Sequence, residues 1–175
     1  MPANESRRSA ALVAASLLFA VAALTTARSV VAHATLYLFG EHAQAGQPGT
    51  LTLRIPHGCT GGLTTDGITT RFSPRWVAIE PQAVEGWVSE VKRSPRGTWT
   101  VTWTATAGGL PDGETGDFPL TVTWPAKAGD YATPTVQSCG VTTMKWTDLR
   151  RGAADGENPS PPVYPSPWVR VHPTP

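Results

Sequence analysis

Short runs of alternating polar and apolar residues are the feature that most limits the folds open to this chain. Such runs occupy residues 50–55, 99–104 and 120–124, and each is rich in Thr, Leu, Val or Trp. Successive side chains of an extended strand point to opposite faces, so each run predicts a strand with one face on a core. Helical periodicity is weak by comparison, and we expect an all-β protein.

Turn residues separate these runs at regular intervals. Gly and Pro cluster at residues 46–49, 94–97 and 108–113, where they favour tight reversals of the backbone. Short strands with this punctuation are typical of an antiparallel β-sandwich.

The N-terminus has the pattern of an export signal. Arg7 and Arg8 precede an apolar run over residues 10–24, and small residues follow up to Ala32. This order predicts a secretory signal peptide over residues 1–32, with cleavage after Ala32. Cleavage after Ala27 is an alternative, and a retained anchor is another, although the run is shorter than the roughly 20 residues of a membrane span.

After this cleavage the chain has 143 residues, enough for one domain with its own core. We assign the domain to residues 33–150 and a Pro-rich tail to residues 151–175, where residues 168–171 are suited to a final edge strand. The processed chain carries 11 basic and 12 acidic side chains, so it lacks the basic surface that nucleic acids or anionic membranes require. It contains no second apolar run, and we expect no stable membrane span.

Two cysteines, Cys59 and Cys139, are the only ones in the chain. In an exported protein an isolated pair is most simply a disulfide. A Cys/His metal site is the competing interpretation, but it lacks a CxxC spacing. The disulfide would bring His57 towards Trp146.

The predicted cleavage makes His33 the first residue of the processed chain. An N-terminal histidine offers its α-amine and its ring Nδ1 to one metal ion, which closes a six-membered chelate. Nitrogen ligands of this kind suit Cu(II), which has the highest affinity in the divalent series. The alternative is that His33 occupies this position by chance.

Several segments, taken in chain order, resemble the YcnI-like family (DUF1775) of exported copper-binding proteins. These segments are His33-Ala34-Thr35, Leu53-Arg54-Ile55-Pro56-His57-Gly58-Cys59, Thr64-Thr65, Gly86-Trp87, Leu110-Pro111-Asp112-Gly113-Glu114 with Phe118, Val136-Gln137-Ser138-Cys139 and Lys145-Trp146. The resemblance implies an immunoglobulin-like sandwich that binds Cu(II) through the N-terminal histidine, with a tryptophan packed over the metal. Matched residue by residue, these two are His33 and Trp146.

One ligand of the family has no counterpart here. Part of the family has a glutamate shortly after the proline of the second strand, whereas this chain has Pro56-His57-Gly58-Cys59. A neutral imidazole is a good Cu(II) ligand, so His57 is the natural substitute. The other interpretation of His57 is a turn residue hydrogen-bonded to the backbone. The reserve candidates are Glu41, His42 and Asp148.

These features predict a secreted or extracytoplasmic protein that binds Cu(II) for copper acquisition, buffering or delivery in the cell envelope, without catalytic turnover. Its expected partners are the copper ion and an envelope copper-transport protein. Two alternatives remain. One is a copper-dependent oxidase similar to polysaccharide monooxygenases, which also use an N-terminal histidine on a β-sandwich. The other is a metal-free immunoglobulin-like interaction module.

Overall fold

The computed structural model describes residues 33–59, 61–149 and 164–175. The predicted signal peptide, residues 1–32, lies outside these ranges, as does most of the Pro-rich tail. No helix that could cross a membrane occurs in the part of the chain that is described.

Eleven strands make up the regular structure of the described residues. They are β1 Thr35–Tyr37, β2 Pro48–Ile55, β3 Gly67–Phe72, β4 Ala78–Pro81, β5 Trp87–Arg93, β6 Trp99–Ala105, β7 Gly116–Thr123, β8 Gly129–Ala132, β9 Thr135–Cys139, β10 Thr142–Trp146 and β11 Trp168–Val171. The three alternating runs correspond to β2, β6 and β7. All pairings between these strands are antiparallel.

The strands form two main sheets that face each other. One sheet has the order β1-β2-β7-β4 and the other has the order β10-β9-β3-β6-β5. Aromatic side chains cross the gap: the ring of Phe118 on β7 lies 5.5 Å from Trp103 on β6 and 5.0 Å from Trp87 on β5, between centroids. The predicted antiparallel β-sandwich is therefore confirmed.

Strand β2 shows how the sequence pattern builds the core. Leu51, Leu53 and Ile55 alternate along the strand and are completely buried. Thr52 points to the opposite face and is buried as well, although simple alternation predicts that it is exposed. Its neighbours in the ladder, Tyr37 on β1 and Pro119 on β7, are both larger and flank it.

The predicted disulfide is present between Cys59 and Cys139, with 6.1 Å between their Cα atoms. Cys59 follows β2 in the first sheet, and Cys139 is the last residue of β9 in the second. The bond therefore crosslinks the two halves of the sandwich. Because both sulfur atoms are used in it, the alternative Cys/His metal site is wrong.

The C-terminal residues return to the domain. Strand β11 pairs with β8, so that Val169 lies opposite Tyr131, and Val169 and Val171 are buried. The same segment contacts the loop after β1, where the backbone N–H of His172 donates to the carbonyl of Ala43 at 2.7 Å. Residues 168–171 therefore form an edge strand, as the sequence suggested.

Candidate metal centre

His33 stands at the edge of the first sheet, two residues before β1. Strand β1 pairs with β2 so that Thr35 faces Arg54. Continued by two residues, this antiparallel register places His33 opposite Pro56, next to His57. The His33 side chain is half-buried. The start of the described chain and the turn after β2 therefore come together, as the spacing of the sequence alone does not reveal.

Trp146, the last residue of β10, supplies the wall beside His33. Its indole is 1% exposed, and its ring centroid lies 6.0 Å from the His33 imidazole, with the planes at 87°. Tyr164 makes a second edge contact with the indole at 5.6 Å. His33 and Trp146 are the two residues that the family resemblance implies for the site, and the structure brings their rings into contact.

Gln137 on β9 links the parts of this site, and sequence reasoning assigned it no role. Its side chain is completely buried. The Nε2 group donates to the carbonyl of His57 at 2.8 Å and to Oγ1 of Thr65 at 2.6 Å, while Oε1 accepts from Nε1 of Trp146 at 3.3 Å. Trp146 pairs with Thr135, so Gln137 is its diagonal neighbour on the same face. The buried amide therefore orients the indole and holds the His57 backbone.

A sequence signal for Gln137 did exist. The segment Thr135–Cys139 alternates, and Thr135, Gln137 and Cys139 share its inward face. A glutamine at a core position requires hydrogen-bond partners, because an unpaired buried amide is costly. That requirement marks Gln137 as part of a polar network, although it does not identify the partners.

His57 contributes its backbone to this network more clearly than its ring. The carbonyl accepts from Gln137, and ring Nδ1 is hydrogen-bonded to the carbonyl of the adjacent Gly58. A carbonyl oxygen only accepts, so Nδ1 is the donor, and in this tautomer of the neutral ring Nε2 carries the lone pair. The ring therefore matches the predicted turn histidine while keeping one nitrogen able to bind a metal. The ligand role of His57 stays a prediction.

The turn that carries His57 is held from two sides. Gly58 has no room for a side chain, since an added Cβ would lie 2.5 Å from the carbonyl oxygen of Leu63 and 2.8 Å from the backbone nitrogen of Asp112. The next residue, Cys59, is fixed by its disulfide and donates its N–H to the Leu63 carbonyl at 2.8 Å. The position of His57 is therefore set by rigid backbone contacts.

The reserve candidates have other contacts. The carboxylate of Glu41 accepts from the backbone N–H of Thr50 at 3.3 Å, so it caps the start of β2. The Asp148 backbone forms a bridge with Pro165. His42 lies on the surface next to His172, with 6.2 Å between the ring centroids. None of these contacts connects the three residues to His33.

An ion pair lies near the site on β2. Arg54 makes two hydrogen bonds to the Asp117 carboxylate, both of 2.7 Å, and its guanidinium lies 4.4 Å from the Tyr37 ring centroid. The hydrogen bonds that Arg54 donates to Asp117 raise the pKa of Arg54 above its usual range, against a smaller opposing effect of desolvation. Asp117 thus compensates the charge of Arg54, the ladder partner of Thr35 on β1.

A cluster of three or more His, Cys, Asp or Glu side chains placed to hold a metal ion does not occur within residues 33–59, 61–149 and 164–175. A metal site with three or more such ligands is therefore not preformed in those residues. The chelate predicted for His33 takes one nitrogen from the chain terminus, so it needs fewer side chains. Nitrogen donors and a half-buried imidazole beside an indole are a suitable donor set for Cu(II).

Two solved structures with similar folds support the architecture. An uncharacterized protein from Nocardia farcinica with an immunoglobulin-like fold superposes with a TM-score of 0.65 at 24% identity, covering 79% of this chain and 97% of that one. A cohesin module of a family 33 glycoside hydrolase from Clostridium perfringens gives 0.52 at 10% identity, with 81% and 95% covered. These likenesses establish the immunoglobulin-like fold that was predicted.

Comparison with curated proteins gives no match. The family model described as a domain of unknown function, DUF1775, matches residues 33–164. This match begins at His33, ends at Tyr164 and spans both rings that meet at the candidate site. The chain therefore belongs to the DUF1775 family.

Proposed function

We propose that this chain is an exported protein that binds Cu(II) through His33, and that it serves copper acquisition, buffering or delivery in the cell envelope. The observation that carries the proposal is the contact between His33 and Trp146. The first residue after the predicted cleavage site meets a buried indole from the far end of the domain, at 6.0 Å between centroids. An accidental N-terminal histidine has no need of such a partner.

The donor chemistry depends on signal cleavage. With Ala32 removed, His33 offers its α-amine and its imidazole as a chelating pair. Both nitrogens must be deprotonated to bind, so affinity falls as the pH drops below neutral. His57 adds a third nitrogen if Nε2 turns towards the ion, and the expected register, with His33 opposite Pro56, favours this.

A carrier fits the surroundings of His33 better than an oxidase does. Trp146 packs against the imidazole, and Tyr164 packs against Trp146. Aromatic walls restrict solvent and axial ligands, which favours a held ion over one that reacts with oxygen. We therefore propose that the chain exchanges copper with an envelope transport partner and does not turn over a substrate.

Electron paramagnetic resonance with one equivalent of Cu(II) tests this proposal. The protein begins at His33, as verified by mass spectrometry, and the matched control is the same protein acetylated at its N-terminus. The acetyl group removes the α-amine as a donor and leaves every side chain in place. We expect tight binding with nitrogen coupling in the first protein and its loss in the second. Equal binding by both would refute the N-terminal chelate.

A second comparison defines the role of His57. In the protein that begins at His33, His57→Ala changes the nitrogen coupling if the ring is a ligand, and an unchanged spectrum leaves His57 as a turn residue. Oxygen consumption with ascorbate and a polysaccharide is measured on the same samples. We expect none above free Cu(II), and sustained consumption would favour the oxidase instead.

A further inference from the structure

Two histidines far apart in the sequence lie together on the surface, away from the contact of His33 with Trp146. His42 belongs to the loop after β1, and His172 follows β11 directly. Their ring centroids are 6.2 Å apart with the planes at 87°, and both side chains are exposed. From the sequence alone, His42 was only a reserve candidate ligand for the N-terminal site.

Backbone hydrogen bonds fix the positions of His42 and His172 relative to each other. The N–H of His172 donates to the carbonyl of Ala43 at 2.7 Å, and the carbonyl of His172 accepts from Ala45 at 2.9 Å. Ala43 is completely buried, and Thr174 donates its hydroxyl to the carbonyl of Ala45 at 3.0 Å. The segments that carry both rings are therefore already ordered, so ligand binding loses little conformational entropy in ordering them.

The rings themselves are available. Within residues 33–59, 61–149 and 164–175, no hydrogen bond to a ring nitrogen of His42 or His172 is formed. Imidazole is a good ligand for Cu(II), Ni(II) and Zn(II), and its nitrogen lies about 2.0–2.1 Å from a bound zinc ion. Rotation of two exposed side chains brings one nitrogen from each ring to a common ion, and water fills the remaining positions.

We propose that His42 and His172 form a second site for a divalent transition metal, separate from His33 and weaker than a terminal chelate. An ion bound there ties the loop after β1 to the C-terminal strand. Since it binds only the folded chain, it stabilises the domain in proportion to its occupancy. The site does not depend on signal cleavage, so it exists whether or not His33 binds copper.

Cu(II) is the probe for this site, and the parent protein carries His33→Ala, which removes the imidazole of the terminal chelate. The variants are His42→Ala and His172→Ala, and His57→Ala is the matched control. Binding is followed by electron paramagnetic resonance and by the thermal midpoint. We expect Cu(II) to bind the parent with nitrogen coupling and to raise its midpoint.

Each of the two variants should weaken binding roughly tenfold or more, because even the loss of a second-shell partner costs about 10–100-fold. Both should also abolish the shift in midpoint, whereas His57→Ala should retain both effects. Binding by His42→Ala and His172→Ala at the parent affinity would overturn the proposal. Loss of binding in His57→Ala would overturn it too, because the ion would then be elsewhere. A cooperative thermal transition of each variant without metal verifies that the variant folds.

Discussion

Replacement of Gln137 by methionine tests whether the buried amide organises the candidate site. Methionine has a similar length and is apolar, so Gln137→Met removes the polar contacts without leaving a large cavity. In the wild type, the amide satisfies the carbonyl of His57 and Nε1 of Trp146. Trp146 is 1% exposed, so water cannot replace the lost partner.

The magnitude follows from the groups that lose their partner. Oγ1 of Thr65 also loses the amide but keeps its contact with Sγ of Cys139 at 3.5 Å. The carbonyl of His57 and Nε1 of Trp146 are therefore the two groups left unsatisfied. Each buried polar group left unsatisfied costs about 1–3 kcal/mol, so these two give about 2–6 kcal/mol. Burial of methionine is more favourable than burial of the glutamine amide, and this difference offsets roughly 1 kcal/mol of the loss. We therefore expect Gln137→Met to lower the free energy of unfolding by about 1–5 kcal/mol, compared with the roughly 5–15 kcal/mol typical of a domain.

Urea denaturation with the disulfide intact measures this change, and Gln82→Met is the matched control. Gln82 is exposed, and its side chain donates to Oγ1 of Thr121 at 3.3 Å, a contact outside the core. The control should stay within about 0.5 kcal/mol of the wild type. In addition, hydrogen exchange of the Trp146 indole N–H should accelerate in Gln137→Met. If both variants unfold like the wild type, the amide network is not what holds this site together.

Three further predictions concern the scaffold around the site. The disulfide links residues 80 positions apart, so its reduction should lower the free energy of unfolding by about 4 kcal/mol on the chain-entropy model. A change below about 1 kcal/mol in urea denaturation would contradict this prediction. Gly58→Ala should lower the free energy of unfolding by about 1–3 kcal/mol, because the added Cβ meets backbone atoms. In the control Gly67→Ala, the Cβ lies 3.4 Å from the nearest atom, so the loss should be less than about 1 kcal/mol. Equal thermal midpoints of the two variants would argue against the close approach at Gly58. Asp117→Asn breaks the ion pair between Asp117, whose side chain is 41% exposed, and Arg54, whose side chain is 31% exposed. Solvent screening therefore limits the loss in free energy of unfolding to about 1 kcal/mol or less. A larger loss in urea denaturation would indicate a role beyond this ion pair.

Local patterns in the sequence were sufficient for the fold class and the crosslink. Alternation over residues 50–55, 99–104 and 120–124 predicts strands because the period of two belongs to the extended backbone itself. The disulfide follows from an isolated pair of cysteines in a chain with an export signal. The order of strands in the two sheets does not follow, since β2 and β7 pair through contacts that no local pattern encodes.

For the candidate site too, the sequence identified some residues, whereas their contacts came only from the tertiary structure. His33 and Trp146 were identified by family resemblance, but only the folded sandwich shows that their rings touch. Gln137 was visible as a polar residue on an inward face, yet its partners His57 and Trp146 come from another loop and another strand. His42 and His172 meet because β11 returns to the loop after β1. The sequence by itself determined which segments become strands, since that depends on neighbouring residues. The tertiary structure alone decided which distant side chains share a site, since that depends on how the sheets pair and pack.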